Sequence, residues 1–170
     1  MYQIGEMVVY GGEGVCRVEA VGPLNLPGAD KDRPYYTLAP LYRSGKVYTP
    51  VDTAVYMRPV LSRASAEALV RSIPEIQAAA CGSNNPRVIN EFYQQLMGSH
   101  SCADMIQLIK TAYRKRQEKH AAGAKPSQVD ERYMKRAEEL LYGELAVSLG
   151  IPKDQVCAYI AGVVESASAC

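Results

Sequence analysis

A chain of 170 residues, 48% of them hydrophobic, holds enough apolar side chains for one domain core or two small ones. Nineteen Lys and Arg against eighteen Asp and Glu leave a net charge of +1, which argues against a protein coated overall with polyanion or laid on a membrane surface. No uncharged apolar stretch approaches the roughly 18–20 residues of a membrane span, and MYQIGEMVVY has no basic region leading into an apolar one, so neither a membrane anchor nor a signal peptide is expected and the protein reads as cytoplasmic.

Met7-Val8-Val9-Tyr10 is a compact β-favouring run that stops at Gly11-Gly12-Glu13-Gly14, and Val15 to Val21 resumes with alternation. The pair reads as two short strands joined by a glycine turn. A Gly/Pro/Asp loop from Gly22 to Pro34 precedes a third strand, Tyr35-Tyr36-Thr37-Leu38. Ser44-Gly45 marks a turn, Lys46 to Thr49 a fourth strand and Val55 to Arg58 a fifth. Five short strands with tight turns predict a small, strongly bent antiparallel sheet or SH3/Tudor-like barrel over residues 1–60. So small a unit is expected to lean on the helices or on a partner.

From Ser62 the apolar period lengthens. Ser62 or Ser65 can cap a helix running through Val70 and ended by Pro74. Asn85 can cap a second, from Pro86 to about residue 97, with Val88, Ile89, Phe92 and Leu96 at core spacing. Ser101 and Asp104 have the form of a capping box, opening a long helix to about His120 buried through Met105, Ile106, Ile109 and Ala112 or Tyr113. After a linker from Ala121 to Pro126, Ser127 and Asp130 cap a helix reaching Leu149, with Met134, Ala137, Leu141, Leu145 and Leu149 along one side. Gly150 ends it, and Pro152 starts a last helix packed through Val156, Ile160, Val163 and Val164. Residues 61–170 thus predict a compact bundle of about five helices, and the chain as a whole an α+β protein.

Several local signals have a plain and a functional reading. Gly11-Gly12-Glu13-Gly14 is followed by a strand and lacks a Gly-Lys-Ser/Thr, so it reads as a hairpin turn rather than a phosphate loop. Tyr10, Tyr35, Tyr36, Tyr42, Tyr48 and Tyr56 either cover a small barrel or form a contact face. The strand Lys46 to Thr49 ends at Pro50, which suits a sheet edge; such an edge is left to solvent or offered to a partner strand. Lys110, Arg114, Lys115, Arg116 and Lys119, with Glu118 alone among them, fan over a solvent arc late in a helix. Cations there suit the helix dipole, or they contact phosphates without reading sequence. The five cysteines (Cys16, Cys81, Cys102, Cys157, Cys170) are scattered and form no CxxC, so they read as reduced thiols, mostly in cores. His100 and His120 have no Cys at metal-ligand spacing, so no metal, no cofactor and no catalytic group is expected.

Both halves together resemble the CarD/CdnL family of bacterial transcription regulators, the first domain being similar to the RNA-polymerase-interacting domain shared with the transcription-repair coupling factor. The matching residues are Ile4-Gly5-Glu6-Met7-Val8-Val9-Tyr10 with Gly14-Val15, then Tyr35-Tyr36-Thr37-Leu38, Val47-Tyr48-Thr49-Pro50-Val51-Asp52 and Met57-Arg58-Pro59-Val60. In the second half they are Leu108 to Arg116 and Ala137 to Ala146. Glu6 and Gly11-Gly12-Glu13 stand where the family pattern has Asp and Pro-x-His. Some relatives place a tryptophan wedge at the start of the second helical segment; this chain has no Trp, and Asn84-Asn85-Pro86 occupies that stretch.

The resemblance implies that residues 1–60 dock on the β subunit of RNA polymerase, with Arg43, Val47, Tyr48 and Thr49 at the contact. It implies that residues 61–170 touch upstream promoter DNA, mainly its phosphates, through Asn85, Arg87, Lys110, Arg114, Lys115, Arg116 and Lys119, and so stabilise the open complex. No membrane and no small-molecule substrate enter this picture. The alternative is a protein–protein adaptor with a Tudor-like peptide-binding domain and a helical oligomerisation domain, without DNA contact.

Overall fold

Period-two alternation over the first sixty residues builds one antiparallel sheet. Its strands are β1 (Met7–Tyr10), β2 (Gly14–Pro23), β3 (Pro34–Pro40), β4 (Val47–Pro50) and β5 (Met57–Pro59), in the order β4-β3-β2-β1-β5. The computed structural model describes residues 1–168 and divides the chain into two compact units, Met1–Leu61 and the stretch from Ser62 onward.

β1 passes to β2 through a single 3-10 turn, Gly11–Glu13, that sets Tyr10 opposite Gly14. Gly11 has φ 45, and a Cβ there would lie 2.9 Å from Val55 Cγ1, so the turn requires glycine. One face of the sheet buries Val8, Cys16, Val18, Tyr36 and Leu38, with Tyr2, Tyr10, Val21, Val47, Val51 and Met57 packed against them. An irregularity in the β2–β3 register between Val18 and Ala20 bends the ladder. The Tyr10 hydroxyl donates to Thr49 Oγ1 at 3.2 Å, although β1 and β4 are three strand positions apart. A flat sheet would hold them about 14 Å apart, so the sheet curls around its core.

The second unit comprises α1 (Arg63–Ser72), α2 (Pro86–Gly98), α3 (Cys102–Ala121), α4 (Gln128–Leu149) and α5 (Val156–Ser168). The four side-chain caps form as their sequence patterns require. Ser62 accepts from the Ser65 N–H at 3.1 Å, Asn85 from Arg87 at 3.0 Å, Ser101 from Asp104 at 3.4 Å and Ser127 from Asp130 at 3.5 Å. Gly150 closes α4 in the left-handed region at φ 67. α3 and α4 run antiparallel, because Cys102 meets Glu144 at one end and Arg116 meets Glu131 at the other.

Three packing expectations change. α2 turns Ile89 and Tyr93 fully inward, leaving Phe92 and Leu96 half-buried and Val88 exposed. Its seam is thus set by Tyr93, whose ring is apolar and whose hydroxyl finds a buried partner. On α3, Tyr113 is exposed and Ile109 half-buried, while Leu108 and Thr111 take the interior. After Pro152 the chain makes a 3-10 turn, Lys153–Gln155, before α5, in which Val156 is fully buried and Ile160, Val163 and Val164 only partly so. Cys16 and Cys102 are core thiols, but Cys81 is half-buried and Cys157 exposed; Cys170 lies outside the described residues. No helix among the described residues is long and apolar enough to cross a membrane.

Candidate docking edge and charged helical faces

β4 ends the sheet on one side, and its ladder phase fixes what it presents. The Val51 N–H donates to Pro34 O at 3.1 Å, which makes Tyr36–Thr49 and Leu38–Val47 hydrogen-bonded pairs and Thr37–Tyr48 and Tyr35–Pro50 the open ones. The N–H and C=O of Tyr48 therefore point away from β3, as does the carbonyl of Pro50. Pro50 lacks its donor on the outward side, where no ladder bond within the sheet is lost. Tyr48 is 46% exposed, whereas Thr49 is 3% exposed with its hydroxyl on Tyr10. Val47 packs against the core. Of the four residues nominated on this edge, Tyr48 offers both side chain and backbone, while Val47 and Thr49 turn their side chains and their ladder bonds inward.

Charges frame the edge in opposite-sign pairs. Arg43 pairs with Glu13, Lys46 with Glu19, and Arg33 with Asp52 at 2.6 Å. The hydrogen bond from Arg33 holds the Asp52 carboxyl below the usual carboxylate range. Arg33 precedes β3 and Asp52 follows β4, so the pair ties the two strand ends together. Since each cation has a carboxylate partner, the edge is close to neutral, and its distinctive offer is the free backbone of Tyr48. Burial pushes the Cys16 thiol up to about 11, leaving a neutral, unreactive group in the core.

The basic run of α3 is largely engaged inside its own unit, which corrects the expectation of a solvent arc. Lys110 donates to the carbonyls of Ile73 and Ile76, the latter at 2.7 Å. Its ammonium is held below its usual range by desolvation. Arg114 donates to Ala79 O at 2.9 Å and lies 3.8 Å from Glu118. Lys115 meets the buried Asp130 at 2.8 Å, where Asp130 also accepts from the Tyr93 hydroxyl at 2.6 Å. Arg116 grips Glu131 with two nitrogens. Lys119 is half-exposed near the end of the helix. Only six residues separate α3 from α4, so lysines and arginines on one helix meet the acidic first turn of the next, where Asp130 and Glu131 also suit the helix dipole.

Asn85 and Arg87 stand elsewhere, at the N-terminus of α2. Asn85 spends its side-chain oxygen on the Arg87 N–H, and Arg87 is 87% exposed with Glu91 at 3.5 Å.

Residues 2–61 match the family of CarD-like/TRCF RID domains. They form a CarD-like/TRCF RID domain. No curated protein matches the chain. The RID domain is Tudor-like and belongs to a family of RNA-polymerase-interacting, transcription-associated modules that bind proteins rather than catalyse. In this RID domain β4 and β5 are the two edge strands of the sheet, and on β4 the alternation of Val47 to Pro50 leaves one tyrosine on the outer surface.

Sequence reasoning missed three groups. Arg132 of α4 donates to Asn90 of α2 at 3.2 Å and lies over the Tyr133 ring, 5.3 Å from its centroid, while the Tyr133 hydroxyl donates to the same Asn90 oxygen at 2.7 Å. Asn90 is three residues after Arg87 on one helical face, so Arg132 and Arg87 flank it. The spacing of these residues carried no signal, because forty-two positions separate Asn90 from Arg132. Tyr93 stands between Phe92 and two glutamines, and the expected core spacing ran through Phe92 instead. Asp130 was visible as a capping residue but not as the buried partner of two other side chains.

Proposed function

We propose that this protein is a bacterial transcription regulator that docks on the β subunit of RNA polymerase through β4 and touches upstream promoter DNA with its helical unit, stabilising the open complex. The observation that carries the first half is the outward backbone of Tyr48 on an edge strand of an RID domain. An extended partner strand gains main-chain hydrogen bonds there and a tyrosine ring to pack on. The DNA contact rests on Arg87 and Arg132, exposed arginines on either side of Asn90 near the start of α2. Lys115 and Arg116 serve the fold of the unit through their carboxylate partners on α4.

Two weak contacts joined in one chain give a strong one, because the first turns the second into an intramolecular event. A nearly neutral protein with few free cations therefore needs no high affinity for free DNA. The adaptor reading, without DNA, is favoured by one observation: most cations of α3 already have partners. Co-purification of polymerase with the full chain, followed by open-complex lifetime across a salt series, separates the two. Tyr48→Glu is expected to abolish polymerase capture. Arg87→Ala with Arg132→Ala is expected to leave capture intact and shorten the open-complex lifetime; an unchanged lifetime at every salt concentration selects the adaptor.

A further inference from the structure

Between the 3-10 turn Ile73–Glu75 and α2 the chain runs from Ile76 to Asn85 without regular structure. None of these ten residues is fully buried, and most are small: Ala78, Ala79, Ala80, Cys81, Gly82 and Ser83. What fastens the segment is one face of α3. Gln107 Nε2 donates to Gln77 O at 3.2 Å, Lys110 Nζ to Ile76 O at 2.7 Å and Arg114 Nη2 to Ala79 O at 2.9 Å. Thr111 Oγ1 accepts from the Ala79 N–H at 2.8 Å and donates to Gln107 O at 2.6 Å. Positions 107, 110, 111 and 114 recur at the spacing of one helical face. Every one of these four side chains grips the segment through its backbone alone.

An element held by a few polar contacts and little apolar burial opens at low cost compared with the global fold. Its carbonyls are neutral acceptors, and a phosphate oxygen forms a stronger, charge-assisted bond with Lys or Arg. We propose that the segment 76–85 is a releasable strap that masks Lys110 and Arg114 with its carbonyl oxygens until duplex DNA displaces it. Release frees Arg114 from Ala79 and leaves Lys110 with Ile73 O as its remaining strap-side acceptor. DNA contact through Arg87 and Arg132 then grows by further phosphates only when the strap lifts, which grades the grip on DNA. This device rests on the DNA-contacting reading above.

The test uses the full chain and a short duplex of mixed sequence. Gln107→Ala with Thr111→Val removes two fastenings, and strap amides are followed by hydrogen exchange. The Ala79 amide is expected to exchange at least about tenfold faster, and the slope of log K against log salt to steepen by about one to two, near 0.9 per added phosphate contact. Arg114→Ala in that background should return the slope toward the parent value. Faster exchange with an unchanged slope overturns the masking, and unchanged exchange overturns the release. Because Thr111 is fully buried, the parent chain supplies a second measurement: saturating duplex should lower Ala79 protection. If the parent binds duplex in a salt-dependent way while Ala79 stays protected, the strap fails and the DNA contact stands. If neither parent nor loosened chain shows salt-dependent binding, the DNA contact itself fails and takes the strap with it.

Discussion

Asp130 shows how one side chain can join three helices. It sits in the first turn of α4, accepts from the Tyr93 hydroxyl of α2 at 2.6 Å, and pairs with Lys115 of α3 at 2.8 Å. Lys115 also lies 5.7 Å from the centroid of the Tyr93 ring. Removing only the hydroxyl, by Tyr93→Phe, leaves the ion pair and is expected to cost about 1–2 kcal/mol in denaturant unfolding. Lys115→Met leaves a buried carboxylate without its cation and should cost more, about 3 kcal/mol or above. If Tyr93→Phe proves the more damaging of the two, the charge pair is not the anchor. Arg116 and Glu131 behave differently because both are one-third exposed. The hydrogen bond from Arg116 lowers the Glu131 pKa below its ordinary 4.5, so the stabilisation is present above about pH 4.5 and is lost as pH falls through the lowered value. Solvent screening keeps the contribution below about 1 kcal/mol. Arg116→Ala should accordingly reduce stability at pH 7 slightly and flatten its fall as pH drops below about 4.5, as read by urea midpoints over an acid series.

At the scale of elements, β4 is four residues long and borders the sheet. Its outer row offers the Tyr48 N–H and C=O, the Pro50 carbonyl being taken by the Thr53 N–H at 3.0 Å, so a partner strand has a single donor to use in that stretch. Tyr48→Pro deletes that donor without removing a bond to β3, since Thr37–Tyr48 is an open pair. Polymerase capture by the full chain is expected to fall at least about tenfold, the worth of one well-made hydrogen bond, with the thermal midpoint little changed. Thr49→Val should do the reverse, removing the acceptor of the Tyr10 hydroxyl and loosening the curl while sparing capture. Equal losses of capture for Thr49→Val and Tyr48→Pro would mean that the partner depends on the curl rather than on the outward backbone.

For the molecule as a whole, the expected behaviour is a division of labour between an RID domain and a helical unit. On the proposed function, variants of the edge should abolish open-complex stabilisation at all salt concentrations, since that proposal assigns delivery to the promoter to β4. Variants of Arg87 and Arg132 should act through salt dependence, each removing about 0.9 from the slope of log K against log salt for the assembly on DNA. Measuring open-complex lifetime at several salt concentrations with both variant classes resolves the two contributions. A single slope shared by all variants contradicts the two-contact scheme.

Local chemistry determined much of this protein in advance. Strand alternation, the glycines at the β1–β2 turn, and the caps Ser62, Asn85, Ser101 and Ser127 are short-range instructions, and each element stands close to where its own residues put it. The RID domain was legible for the same reason, since its motif runs along consecutive strands. Pro50 also marked an edge, but only the ladder phase set by Val51 and Pro34 decided that Tyr48 faces outward while Thr49 does not. The charge run of α3 misled because a lysine's reach exceeds the spacing of residues along its own helix. Whether Lys115 meets water or Asp130 depends on how α3 and α4 lie side by side, and the strap bonded to Lys110 and Arg114 comes from more than thirty residues away. Sequence sets which groups are charged; tertiary packing sets which of those charges remain free to meet another molecule, because a buried acceptor within reach binds a cation before solvent or a partner does.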